Sequence, residues 1–224
     1  ISDIAICDSM SSASRIAMEA RDSEFVDRKS GVSARLAIGA LESVVSAAER
    51  RVLYNKEKHT MVRIGDLFAV TPAITGKIEL VYEGEQEGPE KVARHLIGLA
   101  LRRTFREFFP DPSPKRRAVG ADPYAEVVAW FNENETDVTL GGGGKEYAAS
   151  LKAVAGLEKA VALHRPPAPE PERLLWMEFI LHGLAEHSRI GRSDLAAGVR
   201  FGDVMNTVLS EDDEEEDEDE RLPL

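Results

Sequence analysis

The sequence predicts an all-α protein with little or no strand, and three observations carry that expectation. Apolar residues recur at helical spacing along most of the chain. Proline falls between those stripes rather than inside them. The alternation of a strand is confined to Lys77–Glu83, where Ile78, Leu80 and Tyr82 suit a short strand or an extended arm.

In chain order, Ile1–Glu24 carries Ile4, Ala5, Met10, Ala13, Ile16, Ala17 and Ala20, an imperfect helical stripe. Ser33 is a good N-cap for a long helix whose inner face is read as Ala37, Leu41, Val44, Val45, Ala48 and Val52 and which ends near Asn55. A shorter helix around Ile64–Val70 stops before Pro72. Gly88-Pro89 opens a helix with the face Ala93, Ile97, Ala100, Leu101, Phe105 and Phe108, and Pro110 closes it. Residues 111–121 read as a linker. Asp122-Pro123 caps a helix carrying Val127, Val128 and Phe131, and Asn132–Gly144 reads as a polar, Gly-rich loop. Tyr147, Leu151, Val154 and Val161 mark one further helix, closed by Pro166-Pro167-Ala168-Pro169. Leu174–Leu184 is apolar on most sides, as a central buried helix would be. Ser193 is read as the cap of a last short helix, with one or two more turns over Asp203–Leu209.

Charge matters only once it is located. Of the formal −12, ten charges sit in the uninterrupted acidic run Glu211–Glu220, which leaves the other residues at −2. Such a run repels itself and buries nothing, so it reads as a disordered, solubilising tail. A lure for basic partners and a weak sink for divalent cations are its functional alternatives. One cysteine, Cys7, allows no intramolecular disulfide and fits a reducing compartment. No run approaches the ~18–20 apolar residues that span a bilayer and no signal peptide is visible, so a soluble, cytoplasmic protein is expected.

Arg35 is the residue that asks for an explanation. It falls in the first turn of the long helix, where a cation opposes the helix dipole by roughly 0.3–1 kcal/mol. An anion at that position would resolve the conflict, because a guanidinium fork and first-turn N–H groups together bind phosphate. An arginine turned to solvent or paired with a carboxylate explains it too, and on local chemistry alone is the stronger reading.

The run Arg28-Lys29-Ser30-Gly31-Val32-Ser33-Ala34-Arg35-Leu36, followed by Glu49-Arg50-Arg51, resembles the lid of an AAA+ ATPase of the magnesium-chelatase subunit I-like branch. Val62-Arg63-Ile64-Gly65-Asp66-Leu67 resembles the last lid helix of that branch. Ile74–Gly84 is similar to a segment that follows the lid in bacterial chelatase-like proteins. The likeness covers roughly residues 1–110. It implies an AAA+ helical lid over residues 1–84, a C-terminal helical domain over 85–209 and the acidic tail over 210–224. It further implies that Arg35 is the sensor-2 arginine that contacts the γ-phosphate of ATP. Arg28 and Lys29 are then secondary candidates for phosphate or subunit contacts. ATP and Mg²⁺ would be held through an upstream nucleotide-binding domain. The assembly would be a ring, by analogy a hexamer, working with a partner that carries a von Willebrand factor A-like domain.

The chain departs from a complete ATPase. Its two Gly-Lys steps do not make the phosphate loop G-x-x-x-x-G-K-[ST]. Gly76-Lys77 runs into Ile78, and Gly141-Gly142-Gly143-Gly144-Lys145 runs into Glu146, with Thr139 where the first glycine belongs. Gly141–Gly144 reads as a turn. An initial Ile1 suits a fragment whose ATP-binding half lay upstream, and alone the segment should not hydrolyse ATP.

Other chemistries are poorly supplied. His182 and His187 lie five apart, not at the spacing that sets two imidazoles on one helical face for Zn²⁺, and no metal site is expected. The basic residues Arg102, Arg103, Arg106, Lys115, Arg116 and Arg117 lack interleaved aromatics and sit in an acidic chain, which disfavours nucleic acid. Against the ATPase lid stands a reading of another class, a non-enzymatic helical adaptor that binds proteins through its surfaces and acidic tail. A third, an independent enzyme within Asp122–Leu209, has no supporting constellation.

Overall fold

The computed structural model describes residues 14–27, 32–33, 35–113, 122–134, 137–195 and 198–204. The chain forms two compact units, Ile1–Phe108 and Phe109–Leu224. It is mostly helical, with one small three-stranded sheet in the second unit. No helix among the described residues is long and apolar enough to cross a membrane.

The first unit contains α1 (residues 14–22), α2 (Arg35–Asn55), a 3₁₀ helix (Ile64–Val70), α3 (Thr71–Thr75), α4 (Tyr82–Glu87) and α5 (Pro89–Phe108). Helix α5 packs on α3, α4 and the 3₁₀ helix and so belongs to this unit. The division falls after Phe108, where the sequence reading had placed it at residue 84.

The buried stripe of α2 is Leu36, Gly39, Ala40, Val44, Ala47 and Ala48. It is turned by about one residue from the expected face, so that Val45 is exposed. Four of these six side chains are Gly or Ala. They let the 3₁₀ helix and α3 come close, and close approach rather than bulk decides which face is buried.

The Lys77–Glu83 segment supplies only one bridge, Leu80 to Val26. Asp27 N–H donates to Glu79 O at 2.9 Å and Val81 N–H to Phe25 O at 3.0 Å, after which Tyr82 starts α4. Arg51 clamps the connection into the 3₁₀ helix. Its guanidinium donates to Thr60 Oγ1 at 2.7 Å, Met61 O at 3.0 Å and Asp66 Oδ2 at 2.6 Å. Asp66 Oδ2 also accepts from Arg63 N–H at 2.7 Å. The two motif segments ending at Arg51 and Leu67 are therefore tied by one largely buried ion pair.

The second unit is built around α9 (Glu170–Glu186), in which every residue from Leu174 to Leu184 is buried. Around it lie α6 (Ala125–Glu133), α7 (Gly144–Ala153), α8 (Leu157–His164) and the strands β1 (Val138–Leu140), β2 (Gly191–Leu195) and β3 (Gly198–Gly202). The sheet order is β1-β3-β2, antiparallel throughout.

Three expectations are corrected in this unit. Ser193 does not cap a helix; it pairs with Arg200 across β2 and β3. The Asn132–Gly144 loop contains β1, whose Val138 and Leu140 are buried and Thr139 exposed. The helix expected from Tyr147 to Val161 is two helices, because Gly156 takes φ 78° between α7 and α8. A Cβ at Gly156 would also run into Glu126. The readings for Cys7, the basic run Lys115–Arg117, residues 205–209 and the acidic tail lie outside the described residues.

Candidate functional site

Helix α2 begins as its sequence asks. Ser33 Oγ accepts the N–H of Arg35 at 3.2 Å and Ser33 O accepts that of Leu36 at 2.8 Å, which is N-cap geometry. No acidic residue stands in the first turn. The Arg35 side chain is exposed, and among the described residues its guanidinium has neither carboxylate nor hydrogen-bond partner. Arg28 and Lys29 lie outside the described residues, so Arg35 stands without them.

A second cation lies on the same face of α2. The Lys77 ammonium rests against Gly39, in the space that a Cβ on residue 39 would fill, with Ala73 of α3 alongside. Residues 35 and 39 are one turn apart, and such neighbours stand about 5–6 Å from each other at Cβ. Lys77, like Arg35, has no counter-ion among the described residues. Sequence reasoning missed Lys77, having met it only as the end of a Gly-Lys step that fails as a phosphate loop. The signal was Gly39, a glycine inside a helix where alanine would be about 1 kcal/mol more favourable, left bare for another side chain.

The second unit collects its polar groups inside. Tyr147 Oη donates to Glu178 Oε2 at 2.8 Å, and His182 Nε2 lies 3.8 Å from Glu178 Oε1. Glu178 and His182 are 1 % and 0 % exposed. The imidazole stands edge-on to Phe201 of β3 at 5.0 Å between ring centroids. Burial holds the His182 pKa below its usual value; the adjacent Glu178 carboxylate opposes that only in part. Arg189 donates to Pro112 O at 2.7 Å and Asp122 Oδ2 at 2.9 Å, and Arg192 pairs with Glu186 at 2.7 Å. These groups are engaged with one another and hold elements together.

The Gly-rich segment does lead from a strand into a helix, β1 into α7, but not as a phosphate cradle. The Glu146 carboxylate lies back against Gly142, in the space a Cβ would take, so an anion of the chain itself stands at the start of α7. No group of three or more potential metal ligands occurs among the described residues. No protein-family model, curated protein or solved structure matches this chain.

Proposed function

We propose that this chain is the lid and C-terminal helical extension of a magnesium-chelatase-like AAA+ ATPase, in which Arg35 senses the ATP γ-phosphate. The observation that carries the reading is the state of Arg35. It is an exposed guanidinium at a capped helix start, with no acidic residue in its turn and no partner among the described residues. Arg51, at the far end of the same helix, shows what an arginine does here when its task is structural: three protein acceptors hold it. Fork donors left open to solvent fit a phosphate bidentately.

ATP with its Mg²⁺ supplies the triphosphate charge that the lid reads. Arg35 meets that charge and exchanges solvent for phosphate when the lid closes. The work done on a partner then follows from whether the lid is docked or released. A hexameric ring and a partner carrying a von Willebrand factor A-like domain complete the proposal.

The test is the turnover of the ATPase that carries this segment, wild type against Arg35→Ala, with ring assembly followed by light scattering. Loss of one preorganised donor on developing phosphate charge is worth on the order of 100- to 1000-fold in kcat. That loss, with assembly retained, is the expected result. Unchanged turnover removes Arg35 from the site.

The adaptor reading draws on a different observation. Leu53 and Tyr54, at the other end of α2, are 78 % and 81 % exposed, as residues of a protein-docking surface would be. An open reading frame with no phosphate loop upstream of this segment would decide for it.

A further inference from the structure

We infer that Lys77 is a second phosphate-contacting cation, acting beside Arg35 on one face of α2; this rests on the sensing role proposed for Arg35. Three placements support it. The Lys77 ammonium is held against Gly39, one helical turn from Arg35 on the same face. Neither cation has a carboxylate within reach among the described residues, although the unit has carboxylates enough to pair Arg15, Arg51 and Arg103. And the chain keeps a glycine at position 39, against helix propensity, in the place the ammonium needs.

Two like charges placed together without a counter-ion repel each other, and a polyanion between them turns that repulsion into attraction. The division of labour follows from the two side chains. Arg35 supplies a planar fork that suits two oxygens of one phosphoryl group. Lys77 supplies a compact point charge that suits an oxygen of the neighbouring one. The ligand class is therefore a di- or triphosphate rather than a single phosphate. Gly39 is the third part of the device, because a methyl group there displaces the ammonium without removing its charge.

The experiment is a two-dimensional ¹H–¹⁵N NMR titration of this chain with inorganic triphosphate at low ionic strength. Wild type, Arg35→Gln, Lys77→Gln, Gly39→Ala and a control, Lys58→Gln, are compared. The spectra report folding and binding together. Shifts are expected at Arg35, Leu36, Gly39 and Gly76–Ile78. Lys77→Gln should weaken binding roughly tenfold, as loss of one charge-assisted contact does. Gly39→Ala should weaken it while leaving the fold intact, and Lys58→Gln should change it little. Orthophosphate should bind more weakly than triphosphate.

If Arg35→Gln abolishes binding while Lys77→Gln retains it, Lys77 is dismissed and the role of Arg35 stands. An equal loss from Lys58→Gln marks general charge attraction and overturns the inference. Absence of any shift on α2 overturns it as well, leaving the Arg35→Ala turnover assay to judge the sensing role on its own.

Discussion

The two units differ in where they leave charge open. In the second, the ionisable groups Glu178 and His182 are taken into the core of α9 and hydrogen-bonded or stacked in place, while Arg189 and Arg192 are each closed by carboxylates within 3 Å. In the first, Arg51 is closed in the same manner, yet Arg35 and Lys77 are left open on one face of α2. A buried carboxylate such as Glu178, held by the Tyr147 hydroxyl, tolerates little change because a specific neighbour satisfies it. Open cations cost the fold little and are available to a ligand. The contrast gives the interior of the second unit an architectural part, and the open face of the first is where the proposed phosphate contacts would lie.

The sharpest way to break this comparison is within α2 itself. Arg51→Met leaves Asp66 largely buried without its cation and frees the 60–66 connection, and should cost roughly 3 kcal/mol of stability. Arg35→Ala removes a residue that contributes nothing to packing and should stay within about 0.5 kcal/mol of wild type. Urea unfolding followed by far-ultraviolet circular dichroism measures both. Equal costs for the two would show that Arg35 has a structural partner and would sink its assignment as an open phosphate donor.

A smaller effect separates the units by pH. His182 has a folded pKa below its usual value near 6.5, because burial disfavours the imidazolium. The unfolded chain then binds more protons than the folded one, so the second unit is fully stable above about pH 6.5 and loses stability as pH falls below it. The loss is at most about 1.4 kcal/mol per pH unit. Glu178 on α9, Glu186 at its end and Arg192 on β2 are the charges that face the ring; the two carboxylates oppose the shift without reversing it, and the Arg192 guanidinium adds to it.

Glu19 in the first unit behaves with the opposite sign. Burial raises its carboxyl pKa against the pull of Arg103, so its contribution is present at acid pH and is lost as pH rises. Both tryptophans, Trp130 and Trp176, lie in the second unit, so their fluorescence isolates it. Thermal melts between pH 7.5 and 5.5 should show the tryptophan transition falling, and His182→Leu should flatten that dependence. A flat wild-type profile would place the proton sensitivity elsewhere.

How legible this was in the sequence depends on how local the deciding physics is. Helix α9 could be read from Leu174–Leu184 because an unbroken apolar run has only one destination. Ser33 announced the start of α2, and with it the awkward position of Arg35. The sheet was hidden: β1 has three residues, and β3 is bounded by Gly198 and Gly202, so neither carries enough alternation to be seen alone. Ser193-Asp194 imitates a helix cap until β3 pairs with it. The face of α2 was misjudged by weighting large side chains, when Gly39, Ala40, Ala47 and Ala48 mark where neighbours approach. Lys77 was out of reach for the same reason. Its place is defined by the absence of a side chain 38 positions earlier, and no periodicity connects the two.

The smallest expected effect is also the one most local in origin, and it uses a feature that the units share. Helices α2 and α9 end in the same way. Glu57 N–H donates to Val52 O at 3.0 Å and Lys56 N–H to Leu53 O at 3.3 Å; Arg189 N–H donates to Leu184 O at 2.9 Å and Ser188 N–H to Ala185 O at 2.9 Å. Both are Schellman endings, and both place a non-glycine residue in the left-handed region, Lys56 at φ 54° and Ser188 at φ 53°. That conformation costs an L-residue about 1–2 kcal/mol. Glycine relieves the cost but adds roughly 0.5–1 kcal/mol of unfolded-state entropy, so the net gain should be about 0.5–1 kcal/mol at each site. Lys56→Gly should raise the denaturation midpoint seen by circular dichroism and leave the tryptophan midpoint unmoved. Ser188→Gly should raise the tryptophan midpoint. If Lys56→Gly moves the tryptophan transition as far as Ser188→Gly does, the two units unfold as one. Their different treatment of charge then belongs to a single cooperative structure rather than to two.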